Sequence, residues 1–417
     1  MRRLLSSGCL VALTCAMACG NGWGERGSIT PPVGSAAPAR PAYAEKLVPR
    51  VEALRKELLT PGVVVYVRSP ELGDWSEAFG HRALDGKDKL TVGDHARVGS
   101  NTKTWTGTAL LQLVDEGRVA LTDPISKYVP EVPNGANITI ENLLLMRSGL
   151  FNYSDKLELN EALDKQPLKV WAPRELLALS FSEKPTFSPD GGYEYSNTNT
   201  VLLGLVVEQL RGMPLERVLE ERIFAKLGLT NIALPALTSN AIPSPYPRGY
   251  QFSTNVATIK TQVLPQAEQD AAAAGTLLPN DVTDVNPSWG WAAGAGVATA
   301  TDLGAYVRAL VDGGLLSTDL QRRRLESPRK VDPSNPDSAS YGWHIGKFGT
   351  LYGHTGELPG FNTFMGHDPD RKLTIVVWSS LAAAPDARPP AVTIARAIIT
   401  ELYSKPPPEP SPGVGDE

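Results

Sequence analysis

Apolar residues recur at helical spacing over Ala42–Leu59, where Leu47, Val51, Leu54 and Leu58 share one face. The period then changes. Pro61-Gly62 punctuates the chain, and Val63–Val67 is a β-branched and aromatic run that predicts a buried strand. A second strand around Asp74–Gly80 is expected to complete a hairpin. From Ser100 the pattern is helical again, with Leu110, Leu111 and Val114 before a stop at Gly117. Helical spacing dominates residues 120–232, notably Ile140–Leu145, Pro173–Ser180 and Thr200–Leu210. A polar, Pro-rich stretch (233–288) precedes a helix around Thr301–Val311 and three strands, Thr350–His354, Asn362–Gly366 and Leu373–Trp378. Pro390–Tyr403 closes the pattern as an amphipathic helix. Strands at both ends with helices between them predict an α/β fold. It comprises one antiparallel sheet flanked by helices, with an inserted all-helical subdomain.

Composition narrows the partners. The chain has 417 residues, 42% of them hydrophobic, enough for a large core. Its formal net charge of −5 argues against nucleic acid, which needs a basic face to neutralise phosphates. The longest cationic cluster, Arg322-Arg323-Arg324, lies in a helical stretch and reads as a solvated face. There is no internal repeat, Gly-rich phosphate loop or Cys/His cluster with metal spacing, so no metal or organic cofactor is expected.

Cysteine usage addresses location. Cys9, Cys15 and Cys19 all precede the body, which therefore has no disulfide framework. Met1-Arg2-Arg3 followed by an apolar run from Leu4 to Ala18 reads as a secretory signal over residues 1–18, too short to span a bilayer permanently. Ala16-Met17-Ala18-Cys19 resembles a bacterial lipoprotein processing site, with Cys19 as the lipidated residue. Residues 19–41, rich in Gly, Pro, Ala and Ser, read as a flexible tether, and residues 404–417 as a disordered tail. The folded body is expected to span 42–403. Export to the bacterial cell envelope is expected, with the N-terminal lipid as the sole tie to a membrane.

Three short motifs carry candidate chemistry. Ser100-Asn101-Thr102-Lys103 puts a hydroxyl and an amine one helical turn apart. A serine needs a neighbouring base before it is a useful nucleophile, and a desolvated lysine can act as one. Tyr195-Ser196-Asn197 offers a phenol to pass a proton to the leaving group and an amide to hold the lysine and substrate. Gly353-His354-Thr355-Gly356 lies on a predicted late strand. There His354 and Thr355 can hold substrate and Gly356 can let its backbone approach. Each motif alone also fits a structural role: a capping serine, a turn after Asp190-Gly191-Gly192, a packed histidine. Ser327-Pro328-Arg329-Lys330 repeats the first spacing, but no Tyr-x-Asn separates it from His354.

In that order the motifs resemble the serine penicillin-recognising enzymes, the superfamily of serine β-lactamases and D-alanyl-D-alanine carboxypeptidases. The Tyr-x-Asn form is similar to class C β-lactamases, the soluble actinomycete-type carboxypeptidase and family VIII esterases. Resemblance to that carboxypeptidase runs over about residues 45–403. It includes Leu111–Gly117, Arg147-Ser148-Gly149-Leu150 and Tyr195–Asn199. It implies a Ser100 acyl-enzyme, with Lys103 or Tyr195 as base and backbone N–H groups of Ser100 and Glu357 as oxyanion hole. Asn197, Trp289, His354, Thr355 and Gly356 would contact substrate. Three departures stand out. Gly346 and then Lys347 occupy the place of a carboxylate-binding arginine, Glu357 replaces a hydroxyl residue, and the stretch from Tyr250 to Trp289 is longer. The expected function is D-alanyl-D-alanine carboxypeptidase action on peptidoglycan stem peptides. The alternatives are β-lactam or small-ester hydrolysis and, remotely, a non-catalytic penicillin- or cell-wall-binding module.

Overall fold

The computed structural model describes residues 40–335 and 338–404. The signal segment 1–18, Cys19, the tether up to Ala39 and the tail from Lys405 lie outside the described residues. The main sheet has eight strands. The N-terminal hairpin is β1 (Gly62–Arg68) and β2 (Trp75–Gly80), and three short strands follow late in the chain, β3 (Arg329–Lys330), β4 (Ser340–Tyr341) and β5 (Gly346–Phe348). The long strands β6 (Leu351–Leu358), β7 (Phe361–Asp368) and β8 (Leu373–Ser379) complete it. The order is β2-β1-β8-β7-β6-β5-β4-β3, and every neighbouring pair is antiparallel. The register runs Val65 opposite Val377, Val377 opposite Phe364, and Phe364 opposite Thr355.

Alternation along these strands divides the interior in two. Val63, Val65, Val67, Ile375 and Val377 face the terminal helices α1 (Ala42–Glu57) and α5 (Pro390–Tyr403), meeting Leu47, Val51, Ile394 and Ile398. Val64, Tyr66, Met365, Val376 and Trp378 point the other way, into the larger core. Both faces are thus covered, which is why β1 and β8 read as continuous apolar runs. Full burial of such a side chain contributes about 1.5–3 kcal/mol relative to exposure.

The larger core is organised around α2 (Thr102–Asp115), whose residues from Thr102 to Leu113 are all buried. Against it pack α3 (Asn197–Arg211) and, over the sheet, α4 (Ala300–Asp312), with shorter helices at Ile140–Leu144, Leu157–Lys165 and Pro173–Phe181 nearby in sequence. A three-stranded ribbon pairs Ala96–Arg97 with Val297–Ala298 and that with Ile232–Ala233, so the segment entering Ser100 is tied to distant chain. Within the Pro-rich stretch, Tyr250–Gln251 pairs with Asn280–Asp281 around helices Asn255–Thr258 and Gln266–Ala273. Buried Arg97 anchors this excursion by donating to the carbonyls of Asn240 (2.8 Å), Val285 (3.3 Å) and Thr283 (3.4 Å). Among the described residues no helix is long and apolar enough to cross a membrane.

The expected α/β architecture is the observed one, with two corrections in detail. Strands β3 to β5 extend the sheet beyond the expected strands, and at two or three residues each they are too short to leave a period. The triple-arginine cluster is not uniformly solvated. Arg322 and Arg323 are exposed, but Arg324 is 1% exposed and donates to Thr108 Oγ1 at 2.7 Å and to the carbonyls of Thr104 and His344. Burial lowers its pKa to about 10. A helix places successive residues 100° apart, so one member of a charged triplet turns inward where three backbone and hydroxyl acceptors await it.

Candidate active site

The turn that carries Ser100, the candidate nucleophile, is built by backbone economy and threonine hydroxyls. Gly99 adopts φ +55, and a Cβ there would lie 2.5 Å from the Glu357 nitrogen. Only glycine allows the turn Gly99–Asn101 to press this closely on β6. Asn101 Nδ2 donates to the Val98 carbonyl (2.7 Å), Thr102 Oγ1 to Gly99 O (2.7 Å) and Thr104 Oγ1 to Asn101 O (2.7 Å). These bonds satisfy acceptors at the helix start and hold Ser100, partly exposed, at the mouth of α2.

Lys103 lies fully buried one turn on. Its Nζ is 3.0 Å from Ser100 Oγ, 2.6 Å from Asn197 Oδ1 and 2.8 Å from the Ala293 carbonyl. No carboxylate pairs with it among the described residues, and burial pushes its pKa well below the ordinary 10.5. Hydrogen-bond accounting gives the neutral amine a definite orientation. Its two N–H groups serve Asn197 Oδ1 and Ala293 O, which can only accept, and its lone pair is left for the Ser100 hydroxyl.

Asn197 is the first residue of α3, fixed by the bond from its backbone N–H to Asn152 Oδ1 (3.0 Å) and from its Nδ2 to Ser154 Oγ (3.1 Å). Ser148 Oγ donates to Asn199 Oδ1 (2.5 Å) and Thr198 Oγ1 to Phe151 O (2.7 Å), which locks the segment 147–154 onto the Tyr-x-Asn turn. Lys103 Nζ sits 4.7 Å from the Tyr195 ring centroid. Burial raises the Tyr195 phenol above its ordinary 10. Ser100 faces it and acts in the opposite sense, without a hydrogen bond of good geometry.

The late strand behaves differently from expectation. His354 is 4% exposed, with Nδ1 2.5 Å from the Thr355 carbonyl and Nε2 3.1 Å from the Tyr341 hydroxyl. Nδ1 therefore carries the proton and Nε2 accepts from Tyr341. Both nitrogens are spent inside the protein. Burial, with Lys103 nearby, lowers the His354 pKa to about 3, so it is not a cationic substrate clamp. Gly356 is likewise not an opening for substrate backbone, because a Cβ there would lie 2.0 Å from Val98 O. It is small because the nucleophile turn packs against it. Thr355 is partly exposed. Lys347 stands over the Tyr352 ring, 4.8 Å from its centroid.

A cavity of about 260 Å³ adjoins these groups. Asn197, Trp289 and Glu357 form part of its wall, with Asp155, Gln262 and Leu358. Ser100, Lys103, Tyr195, His354, Thr355, Gly356 and Lys347 are not in that wall. Ser100 is linked to it through Lys103 and Asn197, and through the contact of Gly99 with the Glu357 backbone. Trp289 also accepts from Tyr153 at its carbonyl (2.7 Å) and packs against the large core. It is both wall and core. The longer stretch after Tyr250 contributes Gln251, Thr258, Ile259 and Gln262 to the wall. The second Ser-x-x-Lys serves structure alone at Ser327, which caps its helix by donating to Arg324 O (2.7 Å) and accepting from the Trp343 N–H (2.9 Å).

A family model described as "Beta-lactamase" matches residues 50–398, a span that contains all three motifs. The chain belongs to the β-lactamase family. An Escherichia coli (strain K12) protein whose description names a D-alanyl-D-alanine carboxypeptidase is 26% identical, the match covering 72% of each chain. PbpX of Bacillus subtilis (strain 168), described as a penicillin-binding protein, is 24% identical over 68% of this chain and 61% of its own length. This β-lactamase-family chain thus spans about three fifths of that relative. Among solved structures, a D-stereospecific amidohydrolase from Streptomyces sp. superposes with a TM-score of 0.70 at 27% identity, covering 85% of this chain and 99% of that one.

Sequence reasoning missed Ser154, Asp155, Gln262, Tyr341 and the Ala293 carbonyl. Ser154 and Asp155 carry no motif, and a carbonyl has no residue signature. Tyr341 belongs to none of the three motifs, and only the fold brings its hydroxyl to His354.

Proposed function

We propose that this chain is a serine hydrolase that acts through a Ser100 acyl-enzyme on an amide bond next to a D-amino acid residue. The observation that carries the reading is the Lys103 amine, fully buried without a counter-charge, with Nζ 3.0 Å from Ser100 Oγ. Ser100 Oγ adds to the substrate carbonyl while its proton passes to Lys103. The oxyanion forms beside the N–H groups of Ser100 and Glu357, each donor contributing about 3–4 kcal/mol. The C–N bond then breaks, and the leaving amine takes a proton from Tyr195, which is replenished from Lys103. A phenol held above its usual range stays protonated at neutral pH and suits this donation. Water releases the acyl group by the reverse proton path. Asn197 keeps Lys103 in place, and Trp289 forms a wall for the substrate.

The description of the Escherichia coli relative suggests release of D-alanine from stem peptides. Hydrolysis of D-amino acid amides is a second reading, favoured by a cavity wall with no lysine or arginine to hold a terminal carboxylate. Export and a lipid at Cys19, placing the enzyme in the cell envelope, belong to the same proposal.

Intact-protein mass spectrometry after incubation with benzylpenicillin tests the common step. Wild type is expected to gain one acyl adduct on the Ser100 peptide, and Ser100→Ala none. An adduct elsewhere, or full hydrolysis of diacetyl-Lys-D-Ala-D-Ala and D-phenylalaninamide by Ser100→Ala, would overturn the assignment.

A further inference from the structure

We propose that the cleft selects substrates bearing an ammonium group beside the scissile carbonyl, held by Glu357 and Asp155, in place of substrates with a carboxylate there. The inference rests on the Ser100 acyl-enzyme reading and names the substrate class of that site.

The position of Glu357 follows from the backbone. Its nitrogen lies against Gly99, one residue before Ser100, so its backbone stands beside the Gly99–Asn101 turn while its side chain lines the adjoining cavity. That side chain lines the cavity and remains open to solvent through it. Its contact is neutral, since Gln262 Nε2 donates to Oε1 at 2.7 Å and leaves the charge uncompensated. Asp155 belongs to the same wall. It follows Ser154, whose Oγ accepts from Asn197, and its Oδ1 accepts from Asn152 Nδ2 at 3.0 Å. Among the described residues neither carboxylate lies within ion-pair distance of a lysine, arginine or histidine.

The cavity therefore presents two anionic side chains and no cationic one. Desolvation by the surrounding wall raises the pKa of both carboxyl groups, although both side chains keep contact with solvent. A primary ammonium donates up to three hydrogen bonds and supplies the missing charge. A carboxylate at the same point meets repulsion from both. The apolar remainder of the wall, Leu163, Leu358 and Trp289, suits the side chain of a single amino acid residue. D-Amino acid amides and esters with a free α-amine fit this description. Nα-acylated peptides do not.

The test compares three substrates on the full-length protein: D-phenylalaninamide, its N-acetyl derivative, and diacetyl-Lys-D-Ala-D-Ala. Wild type is expected to favour the free amine over the acetylated amide by about 100-fold in kcat/KM, given two carboxylates and no cation in one cavity wall. Glu357→Gln, which keeps the backbone N–H, and Asp155→Asn should each shrink that ratio about tenfold, mostly through KM. Taking the ratio within each variant removes any general loss of folding or rate. Equal turnover of the acetylated or carboxylate-bearing substrate by wild type would overturn the inference, as would an unchanged ratio in both variants. Ser100→Ala separates the two levels. Hydrolysis of D-phenylalaninamide that is lost in Ser100→Ala but shows no preference for the amine in wild type defeats the ammonium site alone. Hydrolysis retained in Ser100→Ala defeats the acyl-enzyme reading and this inference with it.

Discussion

Lys103→Met should slow acylation of Ser100 by about 10²–10⁴-fold, the range for removing a positioned general base. Methionine matches the length of the lysine stem and fills the same buried space, so α2 should keep its packing. What disappears is the lone pair 3.0 Å from Ser100 Oγ and the two donors to Asn197 and Ala293. Stopped-flow acylation by a chromogenic cephalosporin reads the rate directly, and a variant within threefold of wild type would remove Lys103 from the base role.

The pH dependence carries a sign. Burial lowers the Lys103 pKa, so the neutral, competent form is the one present above the folded value. Acylation should fall as pH drops through that value, and Lys103→Met should lack this limb. Stability follows the same group. Below 10.5 the unfolded chain holds a proton at Lys103 that the folded chain, above its depressed pKa, does not. Folding at this residue is therefore opposed between the two values, and the opposition fades as pH rises toward 10.5. Urea titrations across that window should show the slope in wild type and its absence in Lys103→Met.

Gly356→Ala should cost about 1–3 kcal/mol of stability, as overpacking of a filled interior does. It should also reduce acylation by about 10²-fold or more through displacement of the oxyanion donors. The added methyl would lie 2.0 Å from Val98 O and 2.8 Å from Asn101 Nδ2. Neither can step aside cheaply, because that carbonyl accepts the Asn101 side chain at 2.7 Å within the nucleophile turn. Relief requires β6 and the turn to separate, and the N–H groups of Glu357 and Ser100 separate with them. Urea unfolding and acylation rates on one preparation check both numbers. Wild-type values for both would mean the turn and strand are less tightly fitted than the geometry requires.

Strands β1 and β8 were legible because both faces are covered, which concentrates Val and Ile into unbroken runs. Helices α1, α4 and α5 were legible because one face is covered, which leaves a 3.6-residue period. The nucleophile helix α2 kept only part of that signal. It is buried from Thr102 to Leu113, and its threonines bond to nearby carbonyls instead of facing solvent. Ser100, Lys103, Tyr195 and Asn197 were candidates from spacing, since a one-turn offset and a Tyr-x-Asn turn are local facts, and the order of the motifs with the resemblance it carries singled them out.

By itself, then, the order of residues determined the α/β class, the central strands, and the candidate serine–lysine pair with its Tyr-x-Asn partner. Each depends on periodicity or on neighbours a few positions apart. Tertiary structure alone decided the state of the groups. It made Lys103 a buried amine without a counter-charge, spent both nitrogens of His354 on Tyr341 and Thr355, and turned Arg324 inward. It also set Gly356 against Val98 and brought Asp155 and Glu357, 202 positions apart, to one cavity without a cation. Burial and charge pairing are sums over residues distant in sequence, and no local pattern contains them.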